Sequence, residues 1–414
     1  MALNYVWIGF FVIAFIVALF KLIVLGDTSI FNNVVNGMFD GAKTGAEISL
    51  GLIGVMTFWL GIMKIGERAG MISVFAKGVS PFFSRLFPEV PKSHPANGSI
   101  IMNFSANALG LDNAATPVGL RAMQELQDLN PQKDTASNAM IMFLVLNTAG
   151  ITLIPTSVIA MRMANGAANP ADIFIPCLIG TFISFLSGMI AVAIYQKINL
   201  LQGPILAFFG GFIALMSGLY FWLGSLPPDK IQVYASLLGG VIIFTVIVLF
   251  IIYGAARKIN VYEAFIDGAK EGFTTAVMII PFLIAILVAI AAFRVTGCMD
   301  YVVNGIGSFV ALFGADTSFV PALPVGLMKT LSGGGARGLM VDVMNTYGAD
   351  SFEGRLACIM QGSTETTFYI LAVYFGSVGI KKSKYALVCG LIADFVGVVA
   401  AILLAYWFFG STIN

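Results

Sequence analysis

The sequence predicts an all-α integral membrane protein: two inverted-topology repeats with interfacial amphipathic helices, re-entrant hairpins and broken transmembrane helices. Three observations predict it. First, the 414 residues are 58% hydrophobic and only 10% charged, where a soluble domain carries roughly 25% charged residues. Second, many apolar runs are long enough to cross a bilayer. Third, the motif FDGAKTG at 39–45 returns as IDGAKEG at 266–272.

Taken in order, the apolar runs at 5–25, 47–65, 171–196, 203–224, 231–253, 274–293 and 384–409 read as spans. The run at 5–25 has no basic leader and no small-residue cleavage site, so it reads as a first transmembrane helix. Residues 137–163 and 355–379 would span but carry polar interruptions. Residues 31–42 place Phe31, Val34, Val35, Met38 and Ala42 at helical spacing, and 261–273 do so with Val261, Phe265, Ile266, Ala269 and Phe273. Both read as short amphipathic helices lying in the membrane interface.

The motif offset is 227 residues, Asp40 to Asp267. The same register pairs Ile53 with Ile280, Gly70 with Gly297, Gly78 with Gly305, Phe82 with Phe309 and Ser105 with Ser332. An ungapped register this long signals duplication. Beyond Ser105 the offset drops to 215, pairing Thr148 with Ser363. The domains read as a first repeat over 1–200, a linking transmembrane helix over 201–229 and a second repeat over 230–414. An odd number of spans between equivalent points inverts the second repeat. With the N-terminus inside, most of the 22 Lys and Arg fall on that side, the KKSK cluster at 381–384 among them. This predicts a multi-pass membrane protein with its N-terminus on the inside.

Enzyme chemistry is not expected. The sequence offers no Ser-His-Asp set and no metal-ligand spacing. The GGG at 333–335 lacks the Lys-Ser/Thr of a phosphate loop. Neither cofactor nor metal is expected. Net charge +1 gives no sign of nucleic acid. Cys177, Cys298, Cys358 and Cys389 read as small buried hydrophobes, and His94 as a solvated loop residue.

Broken helices at membrane depth are where chemistry is expected. IMNFSANALGLDNAATP (101–117) and LSGGGARG (331–338) carry the Ser, Asn and Gly of chain reversals. LNTAGITLIPTS (146–157) contains Pro155, which has no N–H to give the carbonyl of Ile151. QGSTETT (361–367) holds Glu365 beside an apolar run. Were that stretch helical, Gln361, Glu365 and Tyr369 would share one face. Freed backbone groups and a carboxylate are tolerated in lipid only where they line a cavity or find partners. The plain alternative is that these small polar residues are helix-packing contacts.

Several stretches carry a family resemblance. FDGAKTG, FWLGIMKIGERAG, MNFSANALGLDNAATP and ASNAMIMFLVLNTAGITLIPTSVIAMR resemble spore maturation protein A. VYEAFIDGAKEGF, LSGGGARGLM and MQGSTETTFYILAVYFGSVGIKK resemble spore maturation protein B. The chain resembles a fusion of the two, and the resemblance covers nearly all of it. Both carry the nucleoside-recognition or Gate domain, which also occurs in concentrative nucleoside transporters and in the membrane part of ferrous iron permeases. The resemblance implies a transporter-like fold and leaves the substrate open.

The expected function is a transporter for a small polar solute, nucleoside-like solutes among the candidates, working by alternating access. Expected substrate contacts are Asn103, Ser105, Asn107, Asn113, Thr116, Asn147 and Thr148 from one repeat. Ser332, Gln361, Ser363, Thr364 and Glu365 would supply the rest, with Glu365 the candidate for proton coupling. The alternatives are a divalent cation permease and a non-transport scaffold or assembly factor. The lipid bilayer is an expected partner, and a homo-oligomer stays open.

Overall fold

The computed structural model describes residues 2–109 and 112–413. The described chain forms two series of eight α-helices around one linking helix. The first series is α1 (Ala2–Leu25), α2 (Ile30–Ala69), α3 (Met71–Leu86), α4 (Pro95–Ala108), α5 (Asp112–Asp128), α6 (Asn138–Thr148), α7 (Thr156–Ala164) and α8 (Phe174–Gln196). The linking helix is α9 (Gly203–Gly224). The second series is α10 (Pro228–Ala256), α11 (Val261–Val295), α12 (Cys298–Ala311), α13 (Leu323–Leu331), α14 (Gly333–Tyr347), α15 (Phe352–Ser363), α16 (Thr367–Ser377) and α17 (Ala386–Phe409). In both series two long helices are followed by five short ones and a closing long one.

Among the described residues, seven helices are long and apolar enough to cross a membrane. Only 11% of the hydrophobic window of α1 is buried inside the protein, against 67% for α8. The apolar surface left on α1 needs lipid to cover it, since a water-exposed patch that size is costly.

The expected short amphipathic segments at 31–42 and 261–273 are not separate elements. Each is the N-terminal part of a continuous helix, α2 or α11. The residues between polar start and apolar end, Lys43-Thr44-Gly45-Ala46, contain no strong breaker. One glycine inside a helix costs only about 1 kcal/mol. At 40 residues, α2 is about 60 Å long, twice a hydrocarbon core of about 30 Å. Each long helix is followed by the glycine that the repeat pairs, Gly70 as the C-cap of α2 and Gly297 one residue past the Thr296 C-cap of α11. Gly70 (φ +84°) and Gly297 (φ +82°) adopt the left-handed conformation and turn the chain into α3 and α12.

α2 and α11 pack against each other along much of their length. Gly45 lies by Ile284 while Gly268 lies by the carbonyl of Leu60, so the partner number falls as the α2 number rises. The two equivalent helices therefore run antiparallel. A Cβ on Gly268 would strike the Leu60 carbonyl, which explains a glycine there. The ion pairs Lys64–Glu271 (2.9 Å) and Arg68–Asp267 (2.7 Å) close one end.

α8 and α17 pair in the same sense: Gly180 meets Leu404, and Gly188 meets Ala393. Contacts are exchanged between the halves as well. α1 packs on α11 and α10 on α2, while α6 packs on α17 and α15 on α8. Reciprocal contact between equivalent elements is the signature of a two-fold relation.

Candidate functional site

Both series are interrupted at matching places. α6 ends at Thr148 and α7 begins only after Pro155, which stands as its N-cap residue. α15 ends at Ser363, Thr364 is extended (φ −142°, ψ 169°), and α16 starts at Thr367. The stretch 361–369 is therefore not one helix, contrary to the single-face arrangement. Gln361, Glu365 and Tyr369 nonetheless line the same space. The first hairpin is α4 with α5. Asn103 Nδ2 donates to the Ala115 carbonyl across it (2.9 Å). The second is α13 with α14, broken at Ser332 (φ −157°, ψ 115°), whose hydroxyl accepts the Gly335 N–H.

The two interruptions touch. The Glu365 N–H donates to the Thr148 carbonyl (2.9 Å). One orphaned helix-end acceptor of the first repeat thus satisfies one freed donor of the second. Around this crossing lies a cavity of about 940 Å³. Its polar wall includes Asn107, Thr116, Asn147 and Thr152 from the first series, and Lys329, Ser332, Arg337, Gln361, Glu365 and Thr366 from the second. Trp7, Phe282, Phe368, Tyr369 and Tyr374 supply aromatic surface.

Of the expected contacts, Asn107, Thr116, Asn147, Ser332, Gln361 and Glu365 fall on this wall. Five do not. Asn103 holds the first hairpin together. The Ser105 and Ser363 hydroxyls donate to carbonyls four residues back, Ile101 and Ile359, each at 2.6 Å. Such back-bonding satisfies a hydroxyl within its own helix. Thr148 is fully buried and Thr364 packs where a Cβ on Gly397 would lie. The side chain of Asn113 lies outside the described residues.

Sequence reasoning missed several participants. Glu365, half-exposed to the cavity, has a basic partner: Lys329 Nζ lies 3.6 Å from its Oε2. The lysine comes from the last turn of α13, a favourable place for a cation. Tyr374 donates to Asn147 Oδ1 (3.3 Å), which also accepts from Asn107 (2.8 Å), joining the repeats. Behind the wall, Asp394 of α17 is 1% exposed. One carboxylate oxygen accepts the Thr367 hydroxyl (2.7 Å), and the other has no hydrogen-bond partner. Lys329 and Glu365 are the charged groups that act on it electrostatically.

A second polar cluster sits away from the cavity. Arg162, fully buried, donates to the Ala349 carbonyl (2.6 Å) and pairs with Asp350 and Asp172 (2.9 Å each). Arg355 reaches Asp172 at 2.8 Å. This network clamps the end of α7 and the start of α8 to the 348–355 segment of the second series. Among the described residues, no group of three or more His, Cys, Asp or Glu is placed to hold a metal ion.

The architecture defines a class: an all-helical, multi-pass membrane protein whose two repeated halves meet around a polar cavity. Within that class the chain belongs to the Gate family, described as nucleoside recognition, whose model matches residues 49–165 and 276–381. The two matched segments fall one in each series of helices. The N-terminal half is similar to spore maturation protein A of Bacillus subtilis (strain 168), 43% identical over 187 residues, 45% of this chain and 92% of that protein. The C-terminal half is similar to spore maturation protein B of the same organism, 45% identical over 161 residues, 39% of this chain and 89% of that protein. The arrangement is consistent with a fusion of the two.

Proposed function

We propose that this chain is a secondary transporter of the bacterial cytoplasmic membrane, moving a small polar solute through the cavity by alternating access between two inverted repeats. The observation that carries the proposal is the crossing of two broken helices, Glu365 N–H on Thr148 carbonyl, at the wall of a polar cavity. Irregular backbone inside a membrane bundle is tolerated where it lines such a site, and transporters place binding there. The antiparallel pairing of α2 with α11 and of α8 with α17 supports inversion, since equivalent helices then point opposite ways across the bilayer. The hairpins α4–α5 and α13–α14 are the re-entrant elements of this reading. The amphipathic α3 and α12 lie along the two interfaces.

A cavity of about 940 Å³ with aromatic sides and a few convergent polar groups suits an organic solute. The family description supports solutes of nucleoside size. Glu365, paired to Lys329 and facing the cavity, is the residue placed to couple a proton to that movement. The experiment is uptake into proteoliposomes holding the purified full chain, tested with nucleosides, nucleotides, amino acids and metal ions under imposed proton or sodium gradients. Accumulation of an organic solute above the level in empty liposomes is expected. Flux of divalent cations alone would replace this function with a cation permease, and no flux of any solute would favour a scaffold.

A further inference from the structure

The cavity wall carries three charged side chains among the described residues: Lys329, Arg337 and Glu365. Lys329 and Glu365 pair with each other. Arg337 is left over, so the wall has a net charge of +1. Its guanidinium makes no hydrogen bond or ion pair among the described residues, and its Nε is buried without a partner. A guanidinium offers five donors and is always charged, so one left unpaired on a cavity wall is a ready partner for an anion.

Its position adds to the local positive potential. Arg337 is the fifth residue of α14 (Gly333–Tyr347), and helix side chains slant back toward the N-terminus. The cation is thus held toward the positive end of its own helix dipole. The Ser332 hydroxyl and carbonyl accept the amides of Gly335 and Ala336. The amides of Gly333 and Gly334 precede them, have no helical acceptor, and lie on the cavity wall with no Cβ in front. An independent observation comes from the opposite helix end. Gln361 is 4% exposed, lines the same cavity, and its Oε1 has no partner. A buried carboxamide oxygen without a partner is completed by a water or by a donor of a bound group.

We propose that the cavity binds a small organic anion. Its carboxylate or phosphate is held by the Arg337 guanidinium and the free amides of Gly333 and Gly334, and its polar body by Gln361. This names the substrate class of the cavity assigned above to transport, and as a transport statement it rests on that reading.

The test is thermal stability of the purified full chain in detergent at matched ionic strength. The probes are phosphate against chloride, nicotinate against nicotinamide, and uridine 5′-monophosphate against uridine. At least one anion is expected to raise Tm where its neutral or chloride counterpart does not. In R337Q the apparent affinity for that anion falls about tenfold or more, and R337K recovers part of it, as the loss of a charge-assisted bidentate contact predicts. The proposal is overturned if no anion shifts Tm, if the neutral counterparts shift it equally, or if R337Q keeps the full shift. Proteoliposome flux separates this from the transport reading. Anion binding without flux removes transport and leaves the anion site, whereas flux of neutral solutes that R337Q leaves untouched removes the anion site alone.

Discussion

Glu365 and Asp394 are two carboxylates set differently by their neighbours. Glu365 faces the cavity with Lys329 beside it. Asp394 is enclosed, with the Thr367 hydroxyl on one oxygen and nothing on the other. Replacing either by its amide keeps the shape and removes the carboxylate charge. Glu365→Gln is expected to fold normally and to lose transport or its pH dependence. Asp394→Asn still accepts from Thr367 and should also fold, with a flattened pH profile of flux. Flux measured between pH 5 and 8 checks both, and wild-type profiles in the two variants would remove the carboxylates from coupling. Glu365 was visible in the sequence because a carboxylate next to an apolar run is conspicuous. Asp394 was not, since a single acid inside the apolar α17 acquires its meaning only when Thr367 packs against it. Lys329 was hidden for the same reason: its partner lies 36 residues along the chain, on another helix.

The helices themselves were partly legible. Pro155 and the Gly333–Gly335 run marked real interruptions, because a missing N–H and missing Cβ atoms act locally. Gly70 and Gly297, legible in the sequence only as repeat partners, stand at the ends of the long helices in the left-handed conformation. The continuity of α2 was not legible. A shift from polar to apolar composition near residue 46 resembles a boundary, but composition sets where a helix is buried, not where it stops. What holds α2 to α11 is close backbone approach. Gly268→Leu is expected to destabilise the protein by at least about 1–3 kcal/mol, the usual cost of overpacking, because its Cβ would meet the Leu60 carbonyl. Gly9→Leu on α1 is the control, since a Cβ there meets nothing within 4 Å. Thermal unfolding in detergent compares them, and equal Tm values would refute the packing argument.

At the scale of the molecule, the two halves are joined by the α2–α11 pair, the α8–α17 pair and the clamp of Arg162 with Asp172, Asp350 and Arg355. Removing one member of a buried ion network leaves charge without compensation, at a cost of about 3–5 kcal/mol. Arg162→Met should therefore lower Tm sharply, and a Tm matching wild type would show the clamp to be dispensable. The duplication was legible from the constant offset. The exchange of helices between the halves was not, because a repeat in sequence fixes what is equivalent but not what touches what. Alternating access is the central claim, and accessibility of the cavity tests it most directly. Thr152 lines the cavity from the first interruption, and the native Cys177, Cys298, Cys358 and Cys389 are buried. A membrane-impermeant maleimide should label the Thr152→Cys variant when added from either side of the membrane. Bound solute should change the ratio of the two rates. Labelling from one side only, whatever solute or gradient is present, would contradict the account.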